Sequence, residues 1–133
     1  MTGKKILLVD DDVDFVEANR AALRERGYEV SVAYSGGECA EKIRLERPDL
    51  IILDVMMETQ TEGFNLSRDL RNREQTKTIP ILLLTSVNDT VPFRFGPDKT
   101  WLPVDAFLEK PVRLPQLLEE VERLLGVRSS RGV

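Results

Sequence analysis

Asp49-Leu50-Ile51-Ile52-Leu53-Asp54-Val55-Met56-Met57 lies near the middle of the chain and is its most informative segment. Leu50 to Leu53 form an unbroken apolar run between carboxylates. A run this short suits a strand buried on both faces, as in a parallel sheet with helices on either side. Asp54 then stands at the strand's C-terminal end, where the ligand crevices of open α/β sheets lie. A carboxylate there is either the reactive group of a site or a strand terminator that starts a turn. The stretch by itself leaves both readings open.

Working outward, Lys5-Ile6-Leu7-Leu8-Val9 is a second apolar run, and it ends in Asp10-Asp11-Asp12. A helix is predicted from about Val13 to Arg26, with Asp12 as N-cap, Phe15, Val16, Ala22 and Leu23 on one face and Gly27 as its stop. Tyr28 to Ala33 alternates as a strand does. Ser35 and Glu38 have capping-box spacing for a helix through Ile43 to Arg47, which Pro48 closes. On the other side of the central run, Glu58 to Gly63 is a polar loop and Phe64 to about Arg73 a helix with Phe64, Leu66 and Leu70 apolar. Ile79 to Leu84 reads as a buried strand ending in Thr85-Ser86, and Ala106 to Glu109 as a short strand ending in Lys110-Pro111. Leu114 to Leu125 is the clearest helix, with an apolar stripe, Pro115 early and Gly126 past its end.

Strand and helix alternate, which implies a doubly wound α/β fold with a five-stranded parallel sheet. The flavodoxin-like order 2-1-3-4-5 sets strands one and three side by side at the switch point. Asp10, Asp11 and Asp54 are then expected in one crevice, with Thr85 and Lys110 on the same rim.

Composition narrows the function classes. The chain has 133 residues, 32% of them charged, with a net charge of −4, an acidic balance that gives no footing for nucleic-acid or membrane-surface binding. Arg68, Arg71, Arg73 and Lys77 gather, but Asp69 and Glu74 interrupt them, so they read as a solvated helix face. The single cysteine, Cys39, lies on the apolar side of its helix with Ile43 and reads as core. With no signal peptide or long apolar run ahead of the fold, the expected setting is reducing and cytoplasmic. The absence of histidine removes His-based triads and His zinc sites. The expected division is residues 1–126 as one domain and 127–133 as a C-terminal tail or the start of a linker.

Three carboxylates in one crevice repel, two unit charges ~4 Å apart costing roughly 4 kcal/mol at an effective dielectric of ~20. A cation therefore belongs among them, and Mg2+ suits oxygen ligands while keeping several waters. A carboxylate nucleophile beside Mg2+, faced by Lys110 and the Thr85 hydroxyl, suits phosphoryl transfer, in which the carboxylate becomes an acyl phosphate. Ser86 is small and leaves room at the rim. No general base is evident, so the chain reads as an acceptor of phosphoryl groups and not as a turnover enzyme.

Val9-Asp10-Asp11, Asp54-Val55-Met56-Met57, Leu84-Thr85-Ser86 and Phe107-Leu108-Glu109-Lys110-Pro111, in that order at the strand ends, resemble the motifs of response-regulator receiver domains of two-component signalling. The likeness runs from about Lys5 to Leu125. It implies Asp54 as phosphoacceptor, Asp10 and Asp11 holding Mg2+ directly or through water, and the Met56 carbonyl as a further metal ligand. It implies Thr85 and Lys110 as switch residues on the phosphoryl group and Phe107 as the switch aromatic, whose plainer role is a core Phe on a half-buried strand. The partners it implies are a sensor histidine kinase or phosphotransfer protein and a downstream protein that the sequence does not name.

The chain departs from that pattern in two places. Glu58 stands where the family usually has Pro, and the loop to Gly63 is one residue longer. Between Ser86 and Phe107, where receivers carry their fourth helix, lie Pro92, Gly96, Pro97 and Pro103, and each interior proline costs a helix about 3 kcal/mol. An irregular fourth-helix region is therefore expected, with Phe93, Phe95 and Trp101 packed on the sheet edge or forming a partner surface, a homodimer face included. Apolar Met56 and Val87 flank the path of the hydrolytic water in receivers, which implies slow loss of phosphate. The leading expectation is a stand-alone phosphorylation switch, since no effector segment follows Leu125. The alternative is a phosphate-independent binding module that docks partners through 87–105. An Asp-nucleophile phosphohydrolase fits poorly, because Met56 stands where its second acid belongs.

Overall fold

The computed structural model describes residues 3–54, 68–86, 105–110 and 112–126, and of Thr85, Ser86 and Phe107 the backbone alone. Five strands, β1 (Lys5–Val9), β2 (Glu29–Ala33), β3 (Leu50–Asp54), β4 (Ile81–Ser86) and β5 (Ala106–Lys110), form one parallel sheet in the order β2-β1-β3-β4-β5. Helices α1 (Val13–Glu25), α2 (Gly36–Leu45) and α3 (Leu114–Leu125) flank it, and residues 68–71 are helical. The expected doubly wound order is the observed one.

The apolar runs are unbroken because both faces of each central strand are covered. Ile6, Leu8, Leu50, Ile52, Leu82, Leu84 and Leu108 point to one side, against Val16 and Leu23 of α1 and Leu117, Leu118 and Val121 of α3. Leu7, Val9, Ile51, Leu53, Ile81 and Leu83 point to the other, against Cys39 of α2, Leu70 and Ile79. Burying each of these side chains stabilises the fold by about 1.5–3 kcal/mol. Strand pleating therefore sorts alternate residues onto two separate cores.

Local chemistry places the helix ends. The Asp12 carboxylate accepts from the Phe15 N–H at 3.2 Å and starts α1. Gly27, at φ 96°, sits just past the end of α1, in the left-handed region that other residues enter at a cost. The Ser35 hydroxyl accepts from the Glu38 N–H at 3.2 Å, while the Glu38 carboxylate reaches back one residue further than a standard capping box, to the Tyr34 N–H at 2.8 Å. Ser35→Ala is expected to destabilise the chain by about 1 kcal/mol, read as a lower urea midpoint at unchanged slope.

Two expectations need correcting. The fourth strand begins at Ile81, not Ile79, because Pro80 has no N–H to enter a ladder; its carbonyl still accepts from the Ile51 N–H at 3.0 Å. Arg71 is no solvated helix-face charge. Its guanidinium turns inward to donate to the carbonyls of Lys77 at 3.0 Å and Ile79 at 2.8 Å, and it pairs with Asp105. Asp105 in turn accepts from the Ile81 N–H at 2.8 Å, so one arginine ties the turn before β4 to the start of β5. Arg73 and Lys77 are exposed and paired with Asp69 and Glu74, as a solvated face requires.

Cys39 is buried, and burial pushes its thiol up to about 12. Iodoacetamide at about pH 8 is expected to leave the native thiol unmodified and to alkylate it in denaturant, which mass spectrometry distinguishes. Several expectations lie outside the described residues: the Glu58–Gly63 loop, Phe64 and Leu66, Val87, the segment carrying Pro92, Phe93, Phe95, Gly96, Pro97, Trp101 and Pro103, and residues 127–133.

Candidate functional site

Strand parity assembles the site. Asp10 follows Leu8, Asp54 follows Ile52 and Lys110 follows Leu108 at spacing two, so each prolongs a row of side chains already facing α1 and α3. The register sets Val9 beside Leu53 and Asp54 beside Leu84, so β3 ends one residue past β1 and β4 two residues past β3, which gathers the three C-terminal ends on one edge of the sheet. One ligand oxygen each from Asp10, Asp11 and Asp54 lies within 4.8 Å of the others. Asp10 is wholly buried, Asp54 is 5% exposed, and Asp11 is exposed to solvent.

Lys110 enters this acidic cluster from β5. Its ammonium lies 3.0 Å from Asp10 Oδ2 and 3.5 Å from Asp54 Oδ1. Burial by itself would lower the ammonium's pKa, but the hydrogen bond it donates to Asp10 and the charges of Asp54 and Asp10 outweigh it and raise it above 10.5. The other Asp10 oxygen accepts from the Asp12 N–H at 3.0 Å. One buried carboxylate thus holds both the start of α1 and the lysine of β5. The Lys110 ammonium also lies 4.6 Å from the centroid of the Phe15 ring.

Three carboxylates against one ammonium leave the cluster with surplus negative charge. At separations near 4.8 Å each like pair costs roughly 3–4 kcal/mol at an effective dielectric of ~20. The donors are hard oxygens, and exposed Asp11 gives access to water; the set matches what a small divalent cation asks for. The cluster can therefore hold a metal ion through Asp10, Asp11 and Asp54.

Asp10, Asp11, Asp54 and Lys110 are brought together as expected from the strand ends. Thr85 is on β4 beside Glu109, and Ser86 beside Lys110, so their backbone lies on the same rim. Their side chains and that of Phe107 lie outside the described atoms, as do Met56 and Pro111 altogether. Phe15 was legible only as a core-facing helix residue. Nothing in its spacing announced a contact with Lys110.

The sequence pattern of the response regulator receiver domain matches residues 6–122. Response regulator MprA of Mycobacterium ulcerans (strain Agy99) is 39% identical over 122 residues, 91% of this chain and 50% of that protein. The chain spans about half the length of the curated relatives it matches. Among solved structures, the chemotaxis response regulator CheY4 of Vibrio cholerae is 35% identical with a TM-score of 0.79, over 93% of this chain and 100% of that one. The receiver domain of a signal transduction histidine kinase from Syntrophus aciditrophicus is 32% identical with a TM-score of 0.75, over 98% and 96%. The sheet order, the acids at adjoining strand ends, the lysine over them and the match along nearly the whole chain agree: this chain belongs to the response regulator receiver domains of two-component signalling.

Proposed function

We propose that the chain is a phosphoryl-accepting switch in which Asp54 takes the phosphoryl group from a phosphohistidine of a sensor kinase or phosphotransfer protein, in a Mg2+-dependent reaction in the cytoplasm. The observation that carries this reading is the meeting of Asp10, Asp11 and Asp54 within 4.8 Å, with the Lys110 ammonium on two of them. Asp10, Asp11 and Asp54 would hold the metal, and the Met56 carbonyl would be a further ligand. When bound, Mg2+ offsets the charge on the phosphoryl oxygens.

An Asp54 carboxylate oxygen forms the new P–O bond as the P–N bond to the donor imidazole breaks, the imidazole leaving with the bonding pair. Lys110 is already within reach of Asp54 and pairs with a phosphoryl oxygen once the group is in place. Thr85 contacts a second oxygen through its hydroxyl, and Phe107 changes rotamer with it to alter the output face. The chain acts as a switch and not as a turnover enzyme, and the downstream protein reads that face.

Acetyl phosphate with Mg2+ tests the reading. Intact mass is expected to show one phosphoryl group on the wild type and none on Asp54→Asn or in the presence of a chelator. Equal labelling of Asp54→Asn, or none of the wild type, overturns it.

A further inference from the structure

Among the described residues Lys110 meets two carboxylates and one aromatic ring. Asp10 and Asp54 compete for one ammonium, and the nearer acid is Asp10, at 3.0 Å against 3.5 Å. On that geometry alone the lysine would favour the acid that is not the proposed acceptor. The third contact is the face of the Phe15 ring, 4.6 Å from ammonium to centroid. An aromatic face attracts a cation within about 6 Å of its centroid without neutralising it.

The backbone that carries the ring is tied at both its N–H and its carbonyl. Phe15 lies in the first turn of α1, and its N–H is tied to the Asp12 carboxylate at 3.2 Å. Its carbonyl accepts from Asn19 Nδ2 at 2.7 Å. Asp12 is itself held to Asp10 through its N–H at 3.0 Å. Phe15 also packs against the core cluster that α1 and α3 share. The aromatic face and the acid cluster are thus built from one rigid corner.

We propose that Phe15 is a positioning residue for the phosphoryl-transfer step: its ring holds the Lys110 ammonium over the acid cluster, so that the lysine stays aimed at Asp54 when Asp10 is taken by other charge. This rests on the phosphoryl-acceptor reading of Asp54. A carboxylate in the ring's place would bind the ammonium too strongly to release it, and an aliphatic side chain would fill the space without attracting it. The ring guides the lysine while leaving its charge for the phosphoryl oxygens.

The test separates attraction from packing. Phe15→Tyr and Phe15→Trp keep an aromatic face, Phe15→Leu keeps apolar bulk alone, and mono-, di- and trifluorinated phenylalanine at position 15 weaken the face at nearly constant size. With acetyl phosphate and Mg2+, the Asp54 labelling rate is expected to stay within about twofold of wild type for Tyr and Trp. It should fall about three- to tenfold for Leu and stepwise with fluorination, the range expected of a half-buried cation–π contact. Unfolding midpoints taken on the same samples show whether packing is kept, and the fluorinated series keeps the test open if Phe15→Leu folds poorly. In parallel, NMR of the metal-free chain is expected to show the Lys110 ε-CH2 protons shifted by the ring current, and the shift lost in Phe15→Leu. Wild-type labelling rates in Phe15→Leu and the trifluorinated protein overturn the proposal, and so does an unshifted Lys110. If the wild type takes no label, the acceptor reading fails, and the ring-current shift still decides whether Phe15 holds the lysine.

Discussion

Lys110→Met is expected to destabilise the metal-free chain by about 3 kcal/mol, measured by urea unfolding in a chelator. Asp10 has no exposure and Asp54 5%, so the variant removes the positive charge beside two carboxylates that water can scarcely reach. The loss should sit at the low end of the range for a broken buried pair, since the Lys110 side chain is itself 22% exposed. Mg2+ should return much of it, because the cation replaces the missing positive charge. Adding Asp10→Asn to Lys110→Met should also recover part, by removing one of the two buried negative charges. A metal-free Lys110→Met within about 0.5 kcal/mol of wild type, the range of an ordinary surface substitution, would sink this account.

The same lysine sets a pH dependence. Its folded-state pKa lies above 10.5, so above that value the native chain keeps a proton that the unfolded chain has given up. Stability from Lys110 is therefore complete below pH 10.5 and drains away as pH rises through the raised folded value. Lys110→Met should lack this alkaline loss.

Asp11→Asn should behave in the opposite manner: no loss of stability without metal and a lost response to it. Asp11 is the exposed acid of the three, so removing its charge leaves the core packing untouched and relieves its repulsion with Asp10 and Asp54; metal-free stability should equal or exceed that of wild type. A ligand that binds only the folded state at a hundred times its dissociation constant adds about 2.7 kcal/mol. The wild type should gain that much on Mg2+ titration, and Asp11→Asn little or none over the same range. Its acetyl phosphate labelling should fall at least tenfold, since the metal no longer offsets charge at the acceptor. An intact Mg2+ response in Asp11→Asn would remove Asp11 from the ligand set. The two variants divide the cluster's electrostatics between a resident cation, which the folded chain supplies, and a recruited one.

The strands, apart from where the fourth begins, and the helix starts were legible in the residues, because these depend on neighbours within about four residues. A short apolar run needs cover on two sides. Asp12 and Ser35 reach N–H groups three residues on, and glycine takes the positive φ at position 27. Strand ends and winding order then brought Asp10, Asp11 and Asp54 together from afar. Spacing-two alternation would also have put Asp10, Asp54 and Lys110 on the face shared by α1 and α3. Which partner each charge chose depended on the assembled fold. That Lys110 sits nearer Asp10 than Asp54, that Phe15 faces it, and that Arg71 turns inward are settled between side chains remote in the chain, Lys110 and Asp10 standing 100 residues apart. A difference of half an ångström between two acids follows from how α1, β3 and β5 seat on one another, and no local pattern encodes it.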